Sequence, residues 1–460
     1  MAAQEYARPH ARLHLAGFFG FGPAYVWSRA PSNDVYYDFA AWRRLAQTAE
    51  RGLFSTLFLG DSQRLREHLG RITDHSVTGR PDQLVLFAHL AAVTERIGLV
   101  ATLNTTFTDP ADLARRLATV DVLSGGRAGW NVVTTDNDWT GENFRRGGDV
   151  GHADRYRHAA EHLATVEALW AAWPDGAVPG DDTWSVPGAL ERVVRGVRRA
   201  WPSLPPSPQG QPVLFQAGES PEGRDFAARH AEGIFSRYLQ FDAALEFAAD
   251  LRRRLVAAGR PDDDLRIFPA TRIVLGDTES DAGERARWFR DATWSDRRVR
   301  AVVEAVWGHD LTDHPVDGPL PATDPVVATQ TITHGVVNTS DRPLRTAAAW
   351  RELAEARGFT MRELVLHLND TVEFVGTPSS VADELARYVR AGAIDGLNLQ
   401  PNSVPDGFDD VVDRLVPALQ DRGVYRTAYE GTTLRHNLGL RPAVARRHAG
   451  HTVTTREESA

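Results

Sequence analysis

The 460-residue sequence predicts an α/β fold, a (β/α)8 TIM barrel with long insertions at the C-terminal mouth. Eight short apolar runs alternate with longer segments whose apolar residues fall three and four apart, the mark of β-strands joined by crossover helices in a parallel sheet. No GxGxxG follows the first run, so the open dinucleotide-binding sheet is disfavoured. Eight strands, each followed by a helix, close naturally into a barrel.

The strands are expected in order at Arg12–Phe19 (RLHLAGFF), Phe54–Leu59 (FSTLFL), Ile97–Leu103 (IGLVATL), Ala128–Thr134 (AGWNVVT), Pro212–Ala217 (PVLFQA), Gly233–Tyr238 (GIFSRY), Leu265–Leu275 (LRIFPATRIVL) and Gly396–Gln400 (GLNLQ). Helical periodicity covers Tyr37–Arg51, Pro110–Leu123, Ala153–Trp173, Pro221–Ala231, Asp242–Ala258 and Pro378–Ala391. Three stretches break the alternation. Residues 61–81 are polar and loop-like, 174–211 are rich in Pro, Gly and Arg, and 290–360 form a helix-and-loop excursion before the last strand. Such insertions in a compact domain usually serve as lids or interfaces. We therefore expect one barrel domain over residues 1–440 and a C-terminal arm over 441–460, where no apolar period is sustained.

Composition narrows the chemistry. The net charge is -9 with Lys and Arg spread along the chain, which argues against a nucleic-acid or anionic-membrane surface and for a small-molecule partner. With no cysteine, disulfides, thiol nucleophiles, iron–sulfur clusters and Cys-ligated zinc are excluded, and a reducing cytoplasm is the expected location. No basic-then-apolar leader and no run of about 18 apolar residues is present.

Barrel enzymes draw their functional groups from the C-terminal ends of the strands. Here the second to fifth strands end in FLGD (Asp61), ATLNTT (Thr102, Asn104), WNVVTT (Asn131, Thr134) and FQAGES (Gln216, Glu219, Ser220). Hydrogen-bonding groups with few charges suit a large, flat, heteroatom-rich ligand better than a metal ion, and no metal is expected. Plainer roles compete. An Asp after a strand caps helices, and Ser220 before PEGRDFAARHA is a good N-cap with Pro at N1. The same helix start, behind Gly218, also suits a phosphate. Asn131 is harder to assign to structure alone, because Asn is a poor strand former and has no turn to serve there. His158-Ala-Ala-Glu161-His162 matches the HxxEH zinc-peptidase helix, set against the ordinary occurrence of such a match among 16 histidines.

LSGGRAGWNVVTT, followed by NDWTGENFRR and HADRYRHAAEHLATVEALW, resembles the flavin-dependent monooxygenases of the nitrilotriacetate, pristinamycin and dibenzothiophene-sulfone type, oxygenase components within the bacterial luciferase-like superfamily. SPQGQPVLFQAGESPEGRDFAARHAEGIF, VGTPSSVADELARYVRAGAIDGLNLQP and VPALQDRGVYRTAYEGTTLRHNLGL extend the likeness to about Pro442. The resemblance implies a luciferase-like barrel that takes FMNH2 from a separate NAD(P)H:flavin reductase and, with O2, oxygenates a small organic substrate through a flavin peroxide. It implies a homodimer or homotetramer. It assigns Asn131, Asn104 and His152 to catalysis, and Asp61, Thr102, Asn104, Asn131, His152, Tyr156, Gly218, Glu219 and Ser220 to cofactor binding. Two departures stand out. Of the usual segment before SPQG only TWSVPGAL remains, with an Arg-rich stretch after it, and Glu219 brings a carboxylate beside the phosphate end, to be neutralised by turning away or by pairing with an Arg such as Arg224. Within the superfamily the alternative is hydride transfer with a deazaflavin. From another class, a TIM-barrel glycoside hydrolase would use Glu219 and Glu373, and a non-catalytic subunit would keep the barrel and lose the site.

Overall fold

The computed structural model describes residues 12–19, 26–27, 38–60, 63–64, 67–72, 81–134, 138–144, 152–173, 178–179, 184–185, 204–326, 333–334, 343–369 and 373–443. Eight parallel strands close on themselves: β1 His14–Phe19, β2 Thr56–Leu59, β3 Gly98–Asn104, β4 Ala128–Val133, β5 Val213–Gln216, β6 Gly233–Ser236, β7 Arg266–Leu275 and β8 Gly396–Leu399. Each pairs with the next in sequence, and β8 returns to β1. All eight expected strands are present, with ends shifted by one or two residues. Outside the barrel, β7 runs on to pair with a further parallel strand, Glu373–Gly376.

The helices form where the periodicity places them: α1 Phe39–Arg51, α3 Pro110–Leu123, α4 His152–Trp170, α5 Pro221–His230, α6 Phe241–Ala257 and, before β8, α11 Pro378–Arg390. Their starts are fixed by side-chain caps that satisfy otherwise orphaned backbone N–H groups, Asp38 for α1, Asp109 for α3 and Ser220 for α5. Helix α2, Gln83–Ala91, is an addition to the expected set. Its QLVLFAHLA is apolar at successive positions, with Leu84, Leu86, Phe87 and Leu90 buried and Val85 exposed, so no clean 3.6-residue stripe marks it.

Side chains alternate across the barrel wall. The outward residues, such as Trp130 and Leu99, join the main core against the helices. The inward ones, Ala16, Phe58, Val100, Val213, Phe215, Phe235 and Phe268, fill the lumen, closed at the N-terminal end by Leu434 and Leu438. In the turn from α3 into β4, Gly125 and Gly126 have φ of +71° and +90°, which favours glycine. The Arg127 side chain then donates five hydrogen bonds, to Ser124, Thr94, Ile97 and Ala91, locking the start of β4 to the end of α2.

Between β7 and the Glu373–Gly376 strand lie α7 Glu279–Thr293, α8 Asp296–Trp307, α9 Pro343–Arg357 and α10 Met361–Leu368. The last three share a core of their own around Val299, Val303, Trp307, Met361 and Leu364, separate from the barrel core. Two contacts tie this helical unit to the segment after β2. Thr333–His334 pairs antiparallel with Glu67–His68, and buried His68 meets buried Glu304 at 2.6 Å. Glu304 also accepts from the Leu311 N–H at 2.7 Å. Among the described residues no helix is long and apolar enough to cross a membrane.

Removing one member of a buried hydrogen-bonded pair leaves the other's polar group unmet in a poor solvent. Glu304→Ala is therefore expected to destabilise the chain by about 1–3 kcal/mol and to speed amide exchange over residues 67–72. An unfolding free energy within about 0.5 kcal/mol of the parent would show that the pair does not join the two segments.

Candidate active site

The site follows from the way the barrel closes. Counting along the register from Asn398 through Ala16, Thr56 and Gly98 arrives at Arg127, four residues before Asn131. Counting the other way, through Ala270, arrives four residues after it. The offset is eight, the shear of a TIM barrel, so Asn131 and Asn398 stand at one height on opposite walls. Phe58 and Phe235 complete that layer, and their rings stack across the axis at 4.0 Å. Two amides thus flank a pair of aromatic rings.

Both amides are 2% exposed. Asn131 Nδ2 donates to Thr102 Oγ1 at 3.1 Å, while its Oδ1 is buried without a partner. Asn398 Oδ1 is likewise unmet, and among the described residues the Asn398 carboxamide makes no hydrogen bond. A buried acceptor left unpaired costs about 1–3 kcal/mol, so two in one layer make it a candidate ligand site. Asn398 was open to discovery from sequence, since GLNLQ carries the same misplaced amide as GWNVV.

Above this layer Thr102 is fixed twice, its N–H donating to Gln83 Oε1 at 2.7 Å and its hydroxyl to the Leu59 carbonyl at 2.6 Å. Asn104, at the end of β3, accepts from the Phe107 N–H at 2.8 Å and donates to Gln63. It shapes the rim, with Asn143 reaching the Gln63 carbonyl and Arg64 meeting Glu142. Thr134 lies just past the end of β4. Asp61 and the side chain of His152 lie outside the described residues; the His152 backbone opens α4.

A second cluster forms after β5. A Cβ on Gly218 would lie 2.4 Å from Gln216 Nε2 and 2.5 Å from the Tyr156 hydroxyl, so a larger residue would push these side-chain ends aside and narrow the cradle. The Tyr156 hydroxyl also stands over Gly223, where a Cβ would come within 2.7 Å of it. Ser220 caps α5 through the Gly223 N–H at 3.1 Å. The Glu219 carboxylate pairs with the Arg237 side chain at 3.0 Å and also accepts from the Arg237 backbone N–H. Arg224 instead bonds the Glu219 carbonyl and pairs with Asp250, so the neutralising arginine is Arg237.

The HxxEH residues diverge. His158 donates to the Thr105 carbonyl at 3.1 Å, and Glu161 faces exposed Arg157. His162 is buried against Trp130, and burial, helped by neighbouring His158, pushes its pKa down to about 4. Among the described residues no group of three or more His, Asp or Glu is set to hold a metal.

A closed parallel barrel with unmet amides in the layer below its mouth and a glycine cradle at one side is a candidate site for a small ligand. Comparison with known proteins gives the family: residues 20–394 match the luciferase-like monooxygenase model. The chain is 37% identical to a pristinamycin IIA synthase polypeptide of Streptomyces pristinaespiralis, over 94% of this chain and 97% of that one. It is 33% identical to a nitrilotriacetate monooxygenase component of Aminobacter aminovorans, over 89% and 90%. A crystal structure of riboflavin lyase with modified FMN and riboflavin superposes with a TM-score of 0.72 at 26% identity, covering 94% of this chain and 96% of that one. The chain belongs to the luciferase-like monooxygenase family and is a flavin-dependent monooxygenase.

Asn398→Leu replaces an unmet polar group by an apolar one of like size. In ligand-free protein it is expected to raise the unfolding free energy by about 1 kcal/mol, read from urea melts. A loss of that size instead would show that Asn398 already has its partners.

Proposed function

We propose that this chain is the oxygenase component of a two-component system. It binds FMNH2 delivered by a separate NAD(P)H-dependent flavin reductase and uses O2 to oxygenate a small organic substrate. The observation that carries the reading is the unmet Asn131 Oδ1 in the layer below the mouth, and the Gly218–Tyr156 cradle supports it. The relative from Aminobacter aminovorans is named as one component of its monooxygenase, and the riboflavin lyase structure holds modified FMN.

When bound, reduced FMN supplies the electrons that activate O2. The chain's residues bind, orient and exclude water. Asn131 would accept from a ring N–H, with Thr102 and Asn104 of β3 beside it, and the family likeness assigns Asp61 to the same contact. The start of α5, behind Gly218 and Ser220, would take the phosphate on backbone N–H groups, with the Tyr156 hydroxyl near Gly218 and His152 assigned there by the family likeness; the Gly218 N–H itself donates to Gln216 Oε1 at 2.6 Å. Glu219, drawn off by Arg237, keeps its charge from that phosphate. Asn131, Asn104 and His152 act nearest the reacting centre. Amide and hydroxyl groups hydrogen-bond the ring without offering a strong acid, and a dry site limits loss of activated oxygen as hydrogen peroxide.

The reading includes one barrel domain over 1–440, with insertions around 61–81, 174–211 and 290–360 that shape the mouth, and an arm over 441–460. It includes a cytoplasmic homodimer or homotetramer that meets its reductase transiently, through free FMNH2.

Anaerobic titration with FMN and FMNH2, followed by mixing with oxygenated buffer, tests the cofactor. Asn131→Leu is expected to weaken FMNH2 binding about 10-fold, the cost of roughly one hydrogen bond, or to divert oxygen to hydrogen peroxide, with the far-UV spectrum unchanged. Unaltered binding and coupling would remove Asn131 from the site.

A further inference from the structure

The hydrogen bonds that join β2, β3 and β4 run in one direction. The Leu59 carbonyl only accepts, so the Thr102 hydroxyl must spend its single hydrogen there, at 2.6 Å. The Thr102 oxygen can then only accept from Asn131, at 3.1 Å. The donor end of the carboxamide, Nδ2, carries two hydrogens, and one of them is held by Thr102. The orientation of this amide therefore follows from chemistry, without any choice between its oxygen and nitrogen. Its remaining end, Oδ1, is the buried and unmet one. While Thr102 keeps its hydroxyl the amide is held against an end-for-end flip, and Oδ1 stays on the side away from Thr102.

Polarity of this kind distinguishes the two forms of a flavin ring. In the oxidised ring N5 and N1 are both acceptors, and N3 carries the only ring N–H. Two-electron reduction adds N–H at N5. An acceptor fixed toward the central ring therefore meets a donor in the reduced form and another acceptor in the oxidised form. Acceptor against acceptor in a dry site loses the hydrogen bond and keeps the desolvation cost.

We propose that Thr102 is a positioning residue that locks the Asn131 carboxamide with its oxygen toward the ligand, and that this lock makes the site prefer reduced over oxidised flavin. The proposal rests on the flavin reading above.

The test is the ratio of the FMN and FMNH2 dissociation constants, from anaerobic fluorescence titrations of the full chain. Thr102→Val keeps the shape and removes the hydroxyl, which frees the amide to turn Nδ2 outward. The ratio is expected to fall about 10-fold or more, mainly through tighter binding of oxidised FMN. Thr102→Ser, which retains the hydroxyl, is expected to keep the parent ratio. Should Thr102→Val fail to fold, Thr102→Ala carries the same expectation. A folded Val or Ala variant with the parent ratio overturns the lock while leaving the flavin reading intact. If the parent chain binds neither form, the flavin reading and the lock fall together.

Discussion

The eight-residue stagger with which the barrel closes is the constraint on which the rest depends. Closure pairs every strand on both sides and leaves no edge among the eight. It also fixes which residues share a height. Because the stagger is eight, residues on opposite strands come level four positions away from the hydrogen-bonded register. That places Phe58 and Phe235 face to face across the axis and sets Asn131 and Asn398 on the two walls between them. A one-residue slip in β4 would turn Asn131 outward against the helices and bring Trp130 or Val132 into the lumen.

The same layer shows where stability is given up. Below it the lumen is aromatic and aliphatic, with Phe215 and Phe268 packed under Phe235 of the layer and above Leu434 and Leu438. Packing there favours the folded chain without conditions. Two buried amides with unmet oxygens work against it, and natural proteins keep such groups where function needs them. Several buried polar groups away from this layer are fully engaged. Buried Asp121 accepts from Ser207, from Gln209 and from the Ala128 N–H, and buried Arg435 pairs with Glu232, so these are met on several sides.

The rim is built from segments far apart in sequence. Asn104 holds Gln63, Arg64 meets Glu142, and His68 meets Glu304 of the helical unit. The end of β3, the segment after β2 and the excursion before β8 are thereby connected around the mouth. A change in the helical unit, remote from Asn131, has a route to the rim through these contacts.

The sequence by itself determined the barrel, because strand alternation and helical periodicity are local properties of neighbouring residues. All eight strands and six of the helices were legible in that way. It also marked Asn131, because an amide inside GWNVV contradicts local propensity, and the cap at Ser220, because capping is local. Asn398 carried the same contradiction in GLNLQ, but only the register sets it level with Asn131 and shows it unpaired. Helix α2 was hidden because burial on several sides erases the stripe that betrays a helix. The arginine that neutralises Glu219 was decided by the tertiary structure, since Arg224 is nearer in sequence while β6 brings Arg237 beside the carboxylate. The direction of the Leu59–Thr102–Asn131 hydrogen bonds was likewise decided there. A hydrogen bond's polarity depends on which donor faces which acceptor, and three adjacent strands must be folded before that choice exists.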